Sequence, residues 1–293
     1  TLAMSSAASD VYKRQEFYRP AGDAPEIAYL RGQRAINGGW VPNRQVDCAT
    51  LDVPEMAAFA EFLKGGGKRA VSSTMVMVRL LSAMLRMPEL GRYVVPIVPD
   101  EARTFGMDGL FKVAGIYAHE GQKYRPVDAD SLLPYREASD GQILQEGICE
   151  VGAMASFMAA GSAYAVHGLP MIPFYIFYSM FGMQRVGDMV WGCADMMCKG
   201  FLLGGTAGRT TLNGEGLQHQ DGHSHVLAST VPSLLSYDPA FGYELAIIVR
   251  EGLRRMYVEQ EDIFYYLTLY NENYLMPNMA DVLARGALTQ DQL

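Results

Sequence analysis

A chain of 293 residues with 49% hydrophobic and 19% charged residues can build one large or two small globular domains, and it is not a disordered chain. Its net charge of −8 argues against nucleic acid as the main partner, because phosphate binding needs a basic face. The long apolar run at residues 151–166 falls short of the roughly 20 residues that a membrane-crossing helix needs, and Pro170 and Pro173 interrupt its continuation.

No basic region followed by an apolar core opens the chain, so no secretory signal is expected. The four cysteines, Cys48, Cys149, Cys193 and Cys198, lack metal-site spacing. Three of them lie in apolar stretches, which predicts free, mostly buried thiols in a cytoplasmic protein. Residues 1–15 read as a non-native or disordered extension. Residues 16–53 carry Pro20, Pro25, Pro42 and the Gly38-Gly39 pair and read as a linker with a short helix over 27–34.

Regular patterning begins at Pro54. Residues 56–63 form a short helix ended by Gly65-Gly66-Gly67. Ser72, Ser73 and Thr74 offer an N-cap to a helix with Val78, Leu81, Met84 and Leu85 at helical spacing, which stops at Pro88. Residues 93–98 are a β-branched strand, and Pro96, which lacks a ladder donor, predicts an edge position for it. Residues 151–166 carry no charge and almost no polar face, which predicts a helix buried all round. Strands at 171–177, 201–203, 234–237 and 263–269 follow, with a helix over 180–197 between the first two. Asp238-Pro239 predicts an N-cap and first turn for a helix that puts Phe241, Leu245, Ile248, Val249, Leu253 and Met256 on one face. This alternation predicts an α/β fold with a mostly parallel sheet covered by helices on both faces. Ligands of such sheets bind beyond the carboxyl ends of the strands, where the polar clusters of this chain fall.

Glu146 and Glu150 stand at the mouth of the apolar helix. Glu150 there is either a charge that suits the helix dipole or a carboxylate kept partly dry for chemistry. The glycine-rich turn at 204–210 follows a strand but lacks the lysine and the glycine spacing of a P-loop, so a tight path beside a ligand or neighbouring chain accounts for it. Residues 219–225 hold three of the five histidines, His219, His223 and His225, with Asp221. They offer metal-ligand atoms without a familiar zinc spacing, and no metal is assigned; a histidine reaching a substrate oxygen is the alternative. Tyr178 and Phe181 fall at or past a strand end, where an aromatic face can stack on a flat heterocycle.

Together, Asp100-Glu101-Ala102-Arg103-Thr104-Phe105-Gly106, Gly147-Ile148-Cys149-Glu150 with the residues before it, Ile172-Pro173-Phe174-Tyr175, and the run from Gly208 through His219 to His225 resemble one family. It is the homodimeric bacterial type of pyruvate dehydrogenase component, and the resemblance covers nearly everything from Glu16 to Met279. It implies that residues 54–279 are a transketolase-like, pyrimidine-binding middle domain of a thiamine diphosphate enzyme and that residues 280–293 are a truncated tail. By the same resemblance Glu150 hydrogen-bonds a pyrimidine nitrogen, Ile148 holds the cofactor bent and Phe181 stacks on the pyrimidine. Tyr178 and His219 contact the pyruvate-derived group, and Asp100 and Glu101 line the same mouth. The implied partners are a second subunit and a lipoyl-bearing acetyltransferase. The family's magnesium and diphosphate ligands lie in a preceding domain with a Gly-Asp-Gly motif, and that triplet does not occur here. The expectation is therefore a fragment of an oxidoreductase, inactive alone. A non-catalytic oligomerisation or binding domain that keeps the fold is the alternative.

Overall fold

The computed structural model describes residues 20–36, 48–99, 102–208 and 216–286. By its contacts the chain divides into Thr1–Gln45 and Val46–Leu293. The first unit contains helix α1 (Pro25–Ile36), longer at both ends than its expected range, with Glu26 in the first turn and Arg34 in the last. Both charges suit the helix dipole. No residue of α1 is buried.

In the second unit a 3-10 turn (Met56–Phe59) runs into helix α2 (Ala60–Leu63). The short strand β1 (Ala70–Val71) leads to helix α3 (Ser73–Met84). Ser72 is its N-cap, as expected, and Ser72 Oγ accepts from the Met75 N–H at 3.2 Å. Strand β2 (Val94–Val98) follows, then β3 (Ile116–Tyr117), β4 (Glu137–Ala138) and β5 (Leu144–Gln145). Helix α4 (Glu150–His167), strand β6 (Ile172–Tyr178), helix α5 (Ser179–Asp195) and strand β7 (Phe201–Gly205) come next. Helix α6 (Ser224–Ala228), strand β8 (Leu234–Tyr237), helix α7 (Gly242–Tyr257) and strand β9 (Phe264–Thr268) complete the main layers. Strand β10 (Tyr274–Leu275) and helix α8 (Met279–Ala284) close the described chain.

Six strands form one sheet in the order β5-β2-β6-β7-β9-β8, and every pairing in it is parallel. Helices α4 and α5 pack on each other, and α7 packs with α2 and α3. Tyr175 OH reaches the Glu150 carbonyl on α4, while Phe174 stacks on Phe201 with ring centroids 4.7 Å apart. Alternate side chains of β6 thus serve opposite layers, as the period of a strand requires. This bears out the α/β fold with helices on both faces.

Three expectations need correction. Strand β2 is second in the sheet, not its edge; yet β5 pairs only with Ile97 and Val98, whereas Pro96 pairs with Phe174 of β6. The proline falls where β2 has one partner strand, so the missing donor costs no ladder bond on the open side. Helix α7 begins at Gly242, after Asp238-Pro239, because Glu244 Oε2 accepts from the Ala240 N–H at 2.7 Å and the Phe241 N–H at 2.9 Å and caps the helix there. Helix α4 is not buried all round. Ala153, Met154, Phe157, Ala160, Gly161 and Ala163 are buried, but Val151 and Val166 are 55% and 66% exposed, with exposed Ala155 and Ala159 between them. The sheet and α5 cover its inner sides only, which leaves a stripe of small apolar residues outward.

The tight face of α4 lies at Gly161, where a Cβ would stand 2.7 Å from the Lys199 carbonyl oxygen and 3.2 Å from Cys198 Cβ. Gly161→Val is expected to lower the urea midpoint by the cost of overpacking, about 1–3 kcal/mol. Ala155→Leu, on the open stripe, is expected to leave the midpoint of the single chain unchanged. Equal midpoints for the two variants would refute this division of the helix.

Candidate active site

Strand β6 ends at Tyr178 and α5 starts at Ser179, so one peptide bond turns an apolar strand into a helix at the carboxyl edge of the sheet. That junction sets Tyr178 and Phe181 side by side, with centroids 6.3 Å apart in an edge-to-face arrangement. Phe105 supports Tyr178 from behind at 5.1 Å. The His219 ring lies edge-on to both, 4.9 Å from Phe181 and 5.9 Å from Tyr178. Helix α4 brings Glu150 to the same edge from the neighbouring β-α connection. A cleft of about 270 Å³ results, lined by Pro99, Ile148, Glu150, Phe177, Tyr178, Phe181, Arg185 and His219.

The structure thus gathers five of the sequence-predicted residues: Ile148, Glu150, Tyr178, Phe181 and His219. Asp100 and Glu101 lie outside the described residues, as do residues 209 and 210 of the glycine-rich turn and 211–215 after it. The two glutamates of the opening motif part company. Glu146 accepts a hydrogen bond from Ser156 Oγ and turns back onto α4, whereas Glu150 faces the cleft with its side chain 15% exposed. Ile148 stands at the mouth, 74% exposed.

Arg185 is the residue that sequence reasoning missed. Its guanidinium pairs with the Glu150 carboxylate and lies over the Phe181 ring, 4.3 Å from the centroid. The signal was its place four residues after Phe181 on one helix, since such pairs share a face. Tyr175 adds a further contact to this corner, donating its hydroxyl to the Glu150 carbonyl at 3.3 Å. Burial first, and the nearby Glu150 charge second, push the Tyr175 hydroxyl far up, so it remains a donor.

The three clustered histidines separate. His219 enters the cleft, His223 Nε2 meets Gln184 Nε2 at 3.1 Å, and His225 lies between Ser236 Oγ at 2.6 Å and Thr268 Oγ1 at 2.9 Å. No cluster of histidine, cysteine, aspartate and glutamate suited to a metal ion occurs among the described residues. The thiols divide as well: Cys193 and Cys198 are buried as expected, Cys48 is half-buried, and Cys149 is exposed. Cys149 takes the N-cap position of α4, where its Sγ accepts from the Gly152 N–H at 3.4 Å. Among the described residues no helix is long and apolar enough to cross a membrane.

A family model described as the pyruvate dehydrogenase E1 component middle domain matches residues 51–277. The pyruvate dehydrogenase E1 component of Pseudomonas aeruginosa is 56% identical over 272 residues, which is 93% of this chain and 31% of that protein. The same component of Cupriavidus necator is 57% identical over 255 residues, 87% of this chain and 28% of that protein. That of Escherichia coli is 49% identical over 280 residues, 95% of this chain and 31% of that protein. The chain therefore spans about a third of the length of these curated relatives. Among solved structures, transketolase from Leishmania mexicana matches with a TM-score of 0.53 at 14% identity, over 75% of this chain and 30% of that one. Transketolase from Campylobacter jejuni gives 0.51 at 16% identity, over 86% of this chain and 31% of that one. At such identity the likeness is one of fold.

Proposed function

Since the chain belongs to the pyruvate dehydrogenase E1 component middle-domain family, we propose that its cleft is the pyrimidine side of a thiamine diphosphate site in an enzyme that oxidatively decarboxylates pyruvate. The observation that carries this reading is the convergence of a carboxylate, an aromatic face and a histidine in one cleft at the carboxyl edge of a parallel sheet.

The residues present fit the group. Phe181 offers a ring face whose present occupant, the Arg185 guanidinium, is itself flat and positively charged, and Glu150 offers a carboxylate to the same occupant. An aminopyrimidine has the shape and hydrogen-bonding pattern to use both groups. Ile148, exposed at the mouth, supplies the aliphatic support. When bound, thiamine diphosphate supplies the carbanion chemistry, and the protein supplies binding, orientation and electrostatics. Glu150 would then hold a proton on its carboxyl group toward the bound ring. Tyr178 and His219 face the substrate side of the cleft, where a phenol and an imidazole can donate to a carboxylate or carbonyl oxygen. Magnesium belongs to the diphosphate end, for which the described residues provide no ligand cluster.

Pyruvate, a lipoyl-bearing acetyltransferase and a second copy of the chain are the partners in this reading, and the cytoplasm is its compartment. The exposed stripe Val151, Ala155, Ala159 and Val166 favours the second copy, since small residues let two helices approach closely. That stripe also suits a purely oligomerising domain, which differs in its prediction. Pyruvate-dependent reduction of an artificial acceptor, with thiamine diphosphate and magnesium supplied, is expected only from a chain extended by the remainder of the relatives' length. The 293-residue chain alone is expected to give the blank rate. Turnover by this chain alone would reject the half-site, and none from the extended chain would favour the oligomerising domain.

A further inference from the structure

His219 is carried by a short connection, residues 216–223, in which the His219 N–H donates to the Gly216 carbonyl at 3.2 Å and the Gln220 N–H to the Leu217 carbonyl at 3.2 Å. Two positions after His219 stands Asp221. Asp221 is only 4% exposed. Its Oδ1 accepts from the His223 N–H and the Ser224 N–H, both at 3.0 Å, and its Oδ2 accepts from Ser224 Oγ at 2.5 Å. His223 Nδ1 stands 3.7 Å from Oδ1. The chain continues inward, because Ser224 Oγ accepts in turn from Tyr266 OH at 2.9 Å. Tyr266 lies in β9 with its side chain fully enclosed. Space for its hydroxyl exists because Gly204 of β7 carries no side chain: a Cβ there would stand 2.3 Å from Tyr266 OH.

A buried carboxylate is costly unless its oxygens are satisfied. Burial alone would raise the Asp221 carboxyl, but the hydrogen bonds from Ser224 and the two backbone N–H groups hold it below the usual range. It is therefore a charge that folding keeps. A cap for the five-residue helix α6 would not need this, since a hydroxyl or amide suffices for capping. Three donors converging on one carboxylate, backed by an enclosed phenol on β9, instead fix the direction of the chain on either side of Asp221. On one side is His219.

We propose that Asp221, Ser224 and Tyr266 are positioning residues that hold His219 against Phe181 and Tyr178 in the cleft. The inference rests on the functional reading above for the meaning of the cleft, but the contact itself is tested without it. Tyr266→Phe removes one hydroxyl and no volume from the core; Asp221→Asn keeps the shape and one acceptor. In the 293-residue chain, nuclear Overhauser contacts between the His219 ring and the Phe181 ring are expected in the parent and weak or absent in both variants. Core methyl resonances of Leu202 and Val249 are expected to stay in place. Contacts that persist in both variants overturn the proposal. If Asp221→Asn fails to fold, Tyr266→Phe decides alone.

The extended chain supplies the second test, a double-mutant cycle with His219→Ala. Tyr266→Phe is expected to lower kcat about tenfold in the parent and to change it by less than about twofold once His219 is gone. A role in stability alone would make the two losses multiply, and that outcome overturns the proposal, as does an unchanged kcat in Tyr266→Phe. If His219→Ala itself leaves turnover intact, the reading of the cleft fails, while the contacts in the 293-residue chain still decide the positioning.

Discussion

Glu150→Ala, placed in the extended chain, is expected to fold and to lose about 10²–10⁴-fold of its turnover, the usual contribution of general acid–base catalysis. Glu150 opens α4 at the cleft, with its side chain mostly enclosed and its carboxylate turned toward Arg185 and the Phe181 face. Alanine offers no atom that can hold a proton at that place. Two structural roles also reside in this side chain, and both are small. A carboxylate at a helix N-terminus is worth about 0.3–1 kcal/mol, and an ion pair whose arginine is half open to solvent, as Arg185 is, about 0–1 kcal/mol. If these were its only roles, thermal stability would fall slightly and turnover would survive. The two quantities measured on one variant at saturating cofactor separate the cases. Near-normal turnover with a small stability loss rejects the assignment of Glu150 to catalysis.

The second large effect concerns Lys199, which is 1% exposed. Its Nζ donates to the Met256 carbonyl and to Gln260 Oε1, and it lies 4.1 Å from the Tyr164 ring centroid and 5.7 Å from that of Tyr257. Gln260 adopts a left-handed backbone, with φ of 59°, to bring its side chain there. Burial pushes the Lys199 ammonium down to about 8, against the weaker opposing pull of Cys48 and Asp262. The unfolded chain therefore binds this proton more tightly than the folded one. Stability from this group is complete above the unfolded value near 10.5 and is lost as pH falls through about 8. The difference across that window is about 3 kcal/mol. Denaturant midpoints from pH 7 to 10.5 are expected to rise in the parent relative to Lys199→Met, in which no such proton exists. Parallel curves for the two proteins would show that the ammonium is not held down.

The layers were legible in the sequence because their signals are local. Strand β8 occupies the expected 234–237, and Leu245, Val249, Leu253 and Met256 are buried on α7 as their spacing requires. The cleft was legible through long motifs that resemble a family, not through periodicity: nothing in the spacing of Ile148, Phe181 and His219 says that they meet. What escaped was set by tertiary partners. The outward stripe of α4 is indistinguishable by composition from its buried face, since only the placement of the sheet and α5 tells them apart. The start of α7 moved because the Glu244 side chain competes successfully with Asp238 for the role of cap. Asp238 is instead an acceptor for Tyr270 OH, at 2.8 Å, and for Thr268 Oγ1. Arg185 had a readable helical relation to Phe181, but its pairing with Glu150 spans two helices.

The wholly parallel sheet also governs how the chain reaches this fold. No two of its six strands are joined by a hairpin, so each pairing waits on the closure of a long loop. Phe174 finds Phe201 across 27 residues, whereas Val94 finds Ile172 across 78 and Phe201 finds Tyr265 across 64. Loop-closure entropy makes the segment from β6 through α5 to β7 one of the two least costly nuclei, beside β8 with β9 across 30 residues, and the longer closures slow the strands added afterwards. That segment contributes Tyr178, Phe181 and Arg185 to the cleft. Its aromatic strand is also the one most exposed to self-association during translation and refolding, until β2 and β9 arrive to flank the pair.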